Sequence, residues 1–447
     1  MLQDEIKRKI IPYRKATIDL LSDLIAIPTA NPPGQSYKEC VNYLSQKLKE
    51  WGIKCKTINV LHGNFPRFSL IGSIGKGQRT LHFHGHYDVV PAQSSHQYHP
   101  RLKEDRLWGR GASDMKGGLA AMLFALKLIK ESDVTYDGKI TFSIVPDEET
   151  GGVLGTKYLF AEGFLPPSDC IGMLMPEPTN GAIWNANKGA LTLKITIKGK
   201  SAHVGLAHQG LNAFERLVEV AHSFLELKRK VERRITTLPL TPPDVNQSIM
   251  LLGGESGSGV NFNVVPETAF FTIDCRLNPE ENLSDAKQEI NEVLNSFRQK
   301  GMDLMAETLQ EGESSVAEVN TLIALALSQF IRDVTGKSPN FELCPGLCEI
   351  RFFNNSAIPA YAYGPGILEV SHGPNEYIKI NDILNCAAIY ALTAFRLLAG
   401  KDKEKGTEVL NRKIAGMTDI RVSTKPKGEK KTQEIEDVPE RKKSAKK

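Results

Sequence analysis

The stretch Leu81-His82-Phe83-His84-Gly85-His86-Tyr87-Asp88-Val89-Val90-Pro91 places three histidines and an aspartate within seven positions. Its apolar residues are typical of a buried strand, and alternation along a strand puts the three histidines and Asp88 on one side of the chain. Two interpretations are open at this point. The stretch is either a histidine-only metal cluster or one metal-binding histidine beside structural ones, and partners elsewhere in the chain decide between them.

Length and composition indicate a globular protein of two domains. The chain has 447 residues, of which 41% are hydrophobic and 24% charged, and chains above about 250–300 residues usually divide into domains. The N-terminus has no hydrophobic signal core, and no run approaches the ~18 uncharged apolar residues of a spanning helix. We therefore expect a cytoplasmic protein without a membrane partner.

Cysteines and charge exclude two further classes of protein. The seven cysteines are odd in number and form no C-x-x-C pair, which predicts reduced thiols rather than a disulfide framework. The net charge is +4, yet the residues from Lys401 onwards hold a surplus of six positive charges, so the body of the chain is slightly acidic. We expect no nucleic-acid partner and a disordered, Lys-rich tail over residues 406–447.

The order of predicted elements indicates an α/β domain split by a second domain. Strands alternate with helices up to Met175, which is typical of a largely parallel sheet. From Gly189 to residue 310 the order becomes β-α-β-β-α-β, the ferredoxin-like arrangement. We therefore predict a catalytic domain over 1–188 and 311–405 with an inserted domain over 189–310. Long helices are predicted over Gln3–Ile25 and Val316–Asp333, and the glycine cluster 72–77 predicts a hairpin turn.

Four further polar segments each follow an apolar strand and precede a helix or turn. They are Gly109–Asp114, Pro146–Gly152, Pro176–Thr179 and Ser371–Glu376. The carboxyl ends of strands in an open α/β sheet converge on one crevice, so these groups can meet in space. Histidines and carboxylates without a usable cysteine suit a hydrolytic zinc or manganese site.

Charge arithmetic favours two metal ions in such a site. One bridging carboxylate, two terminal carboxylates and two neutral imidazoles cancel three of the four positive charges of two divalent ions and leave positions for water. A further carboxylate must stay outside the coordination shell to move protons. The adjacent side chains of Glu148 and Glu149 point in different directions and offer this division of labour.

Five motifs in the right order resemble one family. They are G-H-x-D-V-V-P at Gly85–Pro91, G-R-G-x-x-D-M-K-G at Gly109–Gly117, D-E-E-x-G-G at Asp147–Gly152, E-P-T at Glu177–Thr179 and S-H-x-P-N-E at Ser371–Glu376. This combination resembles the dinuclear zinc amidohydrolases that include acetylornithine deacetylase, succinyl-diaminopimelate desuccinylase, aminoacylase and carboxypeptidase G. The resemblance extends from Leu24 to about Leu398. It implies a zinc-peptidase-like catalytic domain with a mixed, mostly parallel sheet, interrupted by an inserted ferredoxin-like α+β lid and dimerisation domain.

The resemblance also implies the residues of the metal site. Two divalent ions, zinc with cobalt or manganese as substitutes, would be held by His86, Asp114, Glu149, Glu177 and His372, with Asp114 as the bridge. Asp88 would fix the tautomer of His86. Glu148 would be the general base that activates water and the acid that protonates the leaving amine. The lid residue His203 would hold the oxyanion, and in dimeric family members this histidine comes from the partner subunit.

Substrate contacts follow from the same resemblance. Arg276 and Asn263 match positions that bind a substrate carboxylate, and Gly364 would border the pocket. Many relatives carry Gly-Gly-Thr-Ser-Asp-x-Arg where this chain has Pro345–Arg351. Gly346 and Glu349 lie in this segment and are predicted to reshape the pocket, which argues against acetylornithine and succinyl-diaminopimelate as substrates.

The sequence thus predicts a metal-dependent hydrolase that removes an acyl group from an N-acylated amino acid or related amine, acting as a homodimer. A carboxypeptidase or dipeptidase with the same site is the alternative, and a non-catalytic binding relative is a third. Asp114 has a second interpretation as a helix cap, His203 as a surface histidine and Arg276 as the partner of a nearby acid. The opening stretch then has one ligand, His86, while His82 and His84 are predicted to be hydrogen-bonded core residues.

Overall fold

The computed structural model of the protein describes residues 2–399, so the predicted tail lies outside the described residues. The helices are α1 (Leu2–Ile10), α2 (Arg14–Ala26), α3 (Tyr37–Glu50), α4 (Lys116–Lys130), α5 (Tyr158–Ala161), α6 (Ala213–Val231), α7 (Leu283–Arg298), α8 (Leu322–Thr335), α9 (Ile350–Asn354) and α10 (Ile380–Leu397). Among the described residues, no helix combines the length and apolar character that crossing a membrane requires.

The strands form three sheets. They are β1 (Cys55–Val60), β2 (Arg67–Lys76), β3 (Thr80–His86), β4 (Arg101–Lys103), β5 (Arg106–Trp108), β6 (Gly138–Val145), β7 (Gly172–Pro178), β8 (Ile183–Asn187), β9 (Gly189–Lys198), β10 (Ile249–Ser258), β11 (Thr268–Leu277), β12 (Leu304–Gly312), β13 (Ser315–Val316), β14 (Phe341–Cys344), β15 (Ala360–Gly364) and β16 (Tyr377–Lys379).

The largest sheet confirms the predicted mixed α/β fold. Its strand order is β1-β2-β6-β3-β7-β15-β8-β13, with β14 beside β8. Strands β6, β3, β7 and β15 are parallel neighbours in the centre, and β14 is parallel to β8. The remaining pairs are antiparallel, so parallel pairing is concentrated in the middle of the sheet. The predicted hairpin at residues 72–77 is wrong, because β2 continues through these glycines and β6 lies between β2 and β3.

Two buried helices cover the central strands. In α4, every residue from Lys116 to Leu126 is buried, which is the pattern of a helix enclosed on all sides. Helix α10 packs against α4 and α8 and is buried along most of its length. Strand β3 is buried at all seven positions, as expected for a parallel strand with both faces covered.

The second sheet has the predicted ferredoxin-like topology. Its order is β10-β11-β9-β12 and all its pairs are antiparallel. Helices α6 and α7 pack on one face through a hydrophobic core separate from that of the large sheet, with Val220, Phe224, Ile290 and Leu294 as helix residues within it. We refer to the segment from β9 to β12 as the lid. The exact domain boundaries stay predictions.

Two helix boundaries differ from the sequence prediction. The first predicted helix is divided into α1 and α2 by a 3-10 turn at Ile11–Tyr13, because Pro12 lacks a backbone N–H and cannot continue an α-helix. Helix α8 begins at Leu322 rather than Val316, since the Thr321 hydroxyl accepts the N–H of Ala324 and caps the helix there.

Candidate active site

The predicted site residues lie where strands of the large sheet end. His86 is the last residue of β3, Glu148 and Glu149 follow β6, and Glu177 is near the end of β7. The third sheet, in the order β16-β5-β4, pairs Tyr377 with Trp108. It thereby brings the segment that contains Asp114 beside the segment that contains His372.

The structure brings the five predicted metal ligands together in two groups that share Asp114. Nε2 of His86 lies 3.4 Å from Oδ1 of Asp114 and 3.7 Å from Oε1 of Glu177. Nε2 of His372 lies 3.3 Å from Oδ2 of Asp114 and 3.3 Å from Oε2 of Glu149. Within each group the donor atoms lie within 4.8 Å of one another.

The chemistry of these groups fits two divalent cations. Each group offers one imidazole nitrogen and two carboxylates, which are donors that zinc, cobalt and manganese accept. Nε2 of His86 is buried and has no hydrogen-bond partner among the described residues. A buried polar atom without a partner is costly, and coordination to a cation would satisfy it.

The pKa shifts of the ligand residues also indicate that positive charge is favoured in this site. Hydrogen bonds to Asp114 and Glu149 raise the pKa of His372 to about 11. Burial opposes the charged form of His86, but contacts with Asp114 and Asp88 raise its pKa well above the usual value. Burial raises the pKa of Glu177. Without metal, the site therefore favours bound protons, on His372 above all, which offset the charge of the carboxylates.

Asp88 connects His86 to the loop that follows β6. Its carbonyl oxygen lies 3.1 Å and its Oδ1 3.3 Å from Nδ1 of His86, which leaves Nε2 for a ligand. The Asp88 carboxylate also accepts the backbone N–H groups of Glu148 and Glu149, each at 3.2 Å, and the amide of Asn31 at 2.8 Å. One buried carboxylate thus orients both the imidazole of His86 and the loop that contains Glu148 and Glu149.

Glu376 is a supporting residue that the sequence analysis missed. Its buried carboxylate accepts the backbone N–H groups of Gly111, Ser113 and Asp114 at 2.9–3.0 Å and pairs with the buried Arg110 at 2.7 Å. It thereby fixes the segment that presents Asp114. A signal was available, because Glu376 ends the Ser371–Glu376 motif and Arg110 supplies an opposite charge in another motif.

The predicted lid residues lie apart from this cluster. His203 is exposed, and its Nδ1 accepts the N–H of Gly205. Asn263 lies beside it, since its carbonyl accepts the N–H of Val204. Arg276 pairs with Asp274 through Nε at 2.9 Å. Within residues 2–399 no hydrogen bond or ion pair connects these three residues to the metal-ligand groups.

The remaining predicted pocket residues have different surroundings. Gly364 lies where β15 passes the carbonyl of Pro176, and a Cβ there would approach that oxygen to 2.3 Å. It lines a cavity of about 630 Å³ together with Thr179 and Trp184. Gly346 is half-buried in the connection between β14 and α9. Glu349 is fully buried.

His82 and His84 are hydrogen-bonded core residues, as predicted. His82 contacts the hydroxyls of Thr141 and Ser143, each at 2.8 Å. Nδ1 of His84 lies 2.6 Å from the same Ser143 hydroxyl, and its Nε2 lies 2.8 Å from Oε2 of Glu349. Both rings are buried, and neither belongs to a metal-ligand group.

Comparison with known proteins agrees with this architecture. The family model described as peptidase family M20/M25/M40 matches residues 82–396. A probable succinyl-diaminopimelate desuccinylase of Staphylococcus epidermidis is 26% identical over 404 residues, which cover 83% of this chain and 95% of the relative.

Two solved structures share the fold. The dipeptidase Dug1p of Saccharomyces cerevisiae superposes with a TM-score of 0.75 at 15% identity and covers 89% of this chain and 99% of its own. The M20 family metallo-carboxypeptidase Sso-CP2 of Sulfolobus solfataricus has a TM-score of 0.71 at 19% identity and covers 86% and 98%. The family match confirms the predicted resemblance and the assignment as a metal-dependent hydrolase of amide bonds. This chain belongs to peptidase family M20/M25/M40.

Proposed function

We propose that the protein removes the acyl group from an N-acylated amino acid or a related amine, with the aid of two divalent metal ions. The observation that carries the proposal is the pair of ligand groups that share Asp114. Glu148 stands next to one of these ligands in sequence and belongs to neither group. This arrangement provides two cation sites and a separate carboxylate for proton transfer.

Five residues would hold the ions. His86, Asp114 and Glu177 would hold one, and Asp114, Glu149 and His372 the other. Imidazole and carboxylate donors favour zinc, with cobalt or manganese as substitutes. When bound, the ions supply Lewis acidity that polarises the substrate carbonyl and acidifies water.

Glu148 would transfer the proton. Its carboxylate takes a proton from the attacking water and delivers it to the amine nitrogen, so that a C–O bond forms, the amide C–N bond breaks, and a carboxylic acid and an amine leave. Burial, together with the charge of Glu149, raises the pKa of Glu148 although His86 opposes the shift. A carboxyl group with a raised pKa can return the proton near neutral pH.

The lid would complete the site. His203 would stabilise the oxyanion, and Arg276 with Asn263 would bind a substrate carboxylate. Exposed apolar residues on α6 support a homodimer through the lid, because Phe214, Val218 and Leu225 are each at least 40% exposed. Across such an interface, the exposed His203 of one chain would serve the site of the other.

The pocket would be bordered by Gly364 and by the segment that contains Gly346. The match to a probable desuccinylase over 95% of that relative's length supports an N-acylated substrate. All seven cysteines are free thiols, which supports the proposed cytoplasmic location.

A dipeptidase or carboxypeptidase is the second candidate, and it is favoured by the description of the matching family as peptidases. A substrate panel distinguishes the two. Metal-loaded protein is incubated with N-acetyl and N-succinyl amino acids and, separately, with dipeptides, and the released amine is measured. Glu148→Gln is the control for contaminating activity. We expect release from N-acyl amino acids, whereas cleavage of peptides alone would contradict the first candidate.

A further inference from the structure

A buried polar segment lies behind the loop that contains Glu148. Glu349 has no exposed surface, and its Oε2 lies 2.8 Å from Nε2 of His84. The hydroxyl of Thr156 lies 3.1 Å from the same nitrogen. We call residues 147–152 the catalytic loop. Thr156 belongs to the turn that follows this loop. Glu349 and the turn that follows the catalytic loop are therefore anchored to one imidazole of the central strand β3.

The catalytic loop has a backbone that depends on outside contacts. Asp147, Gly151 and Gly152 all have positive φ angles, of 65°, 101° and 69°, and this region is uncommon for residues other than glycine, although Asp enters it more readily than most. A Cβ at Gly152 would lie 2.3 Å from Oε1 of Glu349. The carboxylate of Glu349 thus fills the space directly behind Gly152.

Arg351 holds the same loop at the adjacent residue. Its Nη2 donates to the carbonyl oxygen of Gly151 at 2.7 Å, and it is 2% exposed. Its Nε lies beside Gly312 at the end of the lid strand β12. The guanidinium therefore connects the catalytic loop to the place where the lid chain returns to the large sheet.

Glu349 and Arg351 are both buried and carry opposite charges. Burial lowers the pKa of Arg351, and the nearby Glu349 opposes this shift. Because an uncompensated buried charge is costly, loss of either opposite charge should weaken the contacts to the catalytic loop. Each side chain has a partner inside the protein, through Oε2 of Glu349 and Nη2 of Arg351, whereas the buried Oε1 of Glu349 and Nη1 of Arg351 have no hydrogen-bond partner among the described residues.

We propose that Glu349 and Arg351 are positioning residues, which hold the catalytic loop from behind and so set the place of the Glu148 carboxylate. The proposal rests on the proposed role of Glu148 in proton transfer. It replaces the expectation that Glu349 contacts substrate. The two accounts differ in a measurable way, because a substrate contact acts on KM, whereas misplacement of Glu148 acts on kcat.

The test uses Glu349→Gln and Glu349→Asp in the full chain. Hydrogen exchange of the backbone amides at residues 147–157 is measured on metal-free protein without substrate, and kcat and KM are measured on metal-loaded protein. We expect exchange to become about tenfold faster. We expect kcat to fall by about 10–100-fold while KM stays within about threefold. Glu313→Gln, the same chemical change at an exposed glutamate, is the control and should alter neither readout.

Each outcome decides the proposal. Wild-type exchange in both variants, or a rise in KM with unchanged kcat, would overturn it and restore the substrate-contact role. Glu349→Asp keeps the charge, so it remains informative if Glu349→Gln does not fold. Failure of the proposed function is distinguishable, because the exchange readout needs neither metal nor turnover. A Glu148→Gln variant with full activity would reject that function while the exchange result still stands.

Discussion

The strand-end site and the lid differ in how completely one chain builds them. His86 and Asp88 have no exposed surface. The buried carboxylate of Asp88 holds the catalytic loop, and that of Glu376 holds the segment that contains Asp114. On the lid, His203 is exposed, and Phe262, next to Asn263, is 97% exposed.

This difference reflects two ways to position a side chain. At the strand ends, packing on both faces of the central strands determines where each group lies. The lid has its own hydrophobic core, and the lid residues predicted to contact substrate lie outside that core. We therefore expect substitutions at the strand ends to impair chemistry and metal binding, and substitutions on the lid to impair steps that need lid closure or a second subunit.

The largest effect is expected from Glu148→Gln at the strand ends. Loss of the carboxylate removes proton transfer, which should lower kcat by about 10²–10⁴-fold. Metal content, measured by elemental analysis, should remain that of the wild type because Glu148 is in neither ligand group. Unchanged turnover would contradict the role of Glu148, because the activity would then come from another group or from a contaminant.

His203→Ala tests the lid. Loss of an oxyanion donor should lower kcat by about 10²–10³-fold, with metal content unaffected. If His203 acts across a dimer, coexpression of His203→Ala with Glu148→Gln chains should restore about a quarter of wild-type activity, because half of the dimers then contain one intact site. An absence of restoration in mixed dimers would place His203 in the site of its own chain.

Asp88→Asn should separate the two regions by metal affinity. The variant loses the negative charge beside Nδ1 of His86, and its amide can accept fewer hydrogen bonds from the N–H groups of the catalytic loop. Metal affinity should therefore fall by about 10–100-fold. Asp274→Asn makes the same change on the lid and should leave metal affinity unaltered. Equal losses in chelator competition would show that the two regions are not independent.

The smallest expected signal is proton release on metal loading. The pKa of His372 is raised to about 11 by its hydrogen bonds to Asp114 and Glu149, so this imidazole is protonated in metal-free protein at pH 7, and the pKa of His86 is also raised. Because a ligating imidazole must be neutral, loading should release protons, at least one per chain from His372. A metal titration in weakly buffered solution measures the released protons. Because protons and metal compete for the imidazole nitrogens, acidification should weaken metal binding. Loading without proton release would contradict this charge state.

The sequence predicted the site better than the strand pairing. The five ligand positions lie in short motifs, so the family resemblance that these motifs carry was sufficient to name His86, Asp114 and the other three residues. The order of strands depends on pairing between distant segments. The glycines at residues 72–77 were therefore interpreted as a hairpin, although β6 from much later in the chain separates β2 from β3.

Supporting residues were also hard to predict, because their role depends on what surrounds them in three dimensions. Glu349 was interpreted as a pocket residue from its place in a motif, but its burial against His84 is visible only in the folded chain. Glu376 has no distinctive spacing to the Asp114 segment that it holds. By contrast, Pro12 and Thr321 are local signals for helix boundaries that the periodicity analysis did not use.

Metal stoichiometry tests most directly the claim that Asp114 is shared by two cation sites. Protein is depleted with a chelator, reloaded with zinc, freed of excess metal and analysed for both metal content and amide hydrolysis, with Asp114→Asn in parallel. The account predicts two equivalents per active wild-type chain, inactivity after depletion, and loss of both metal and activity in Asp114→Asn. Full activity in protein that contains no metal would contradict it.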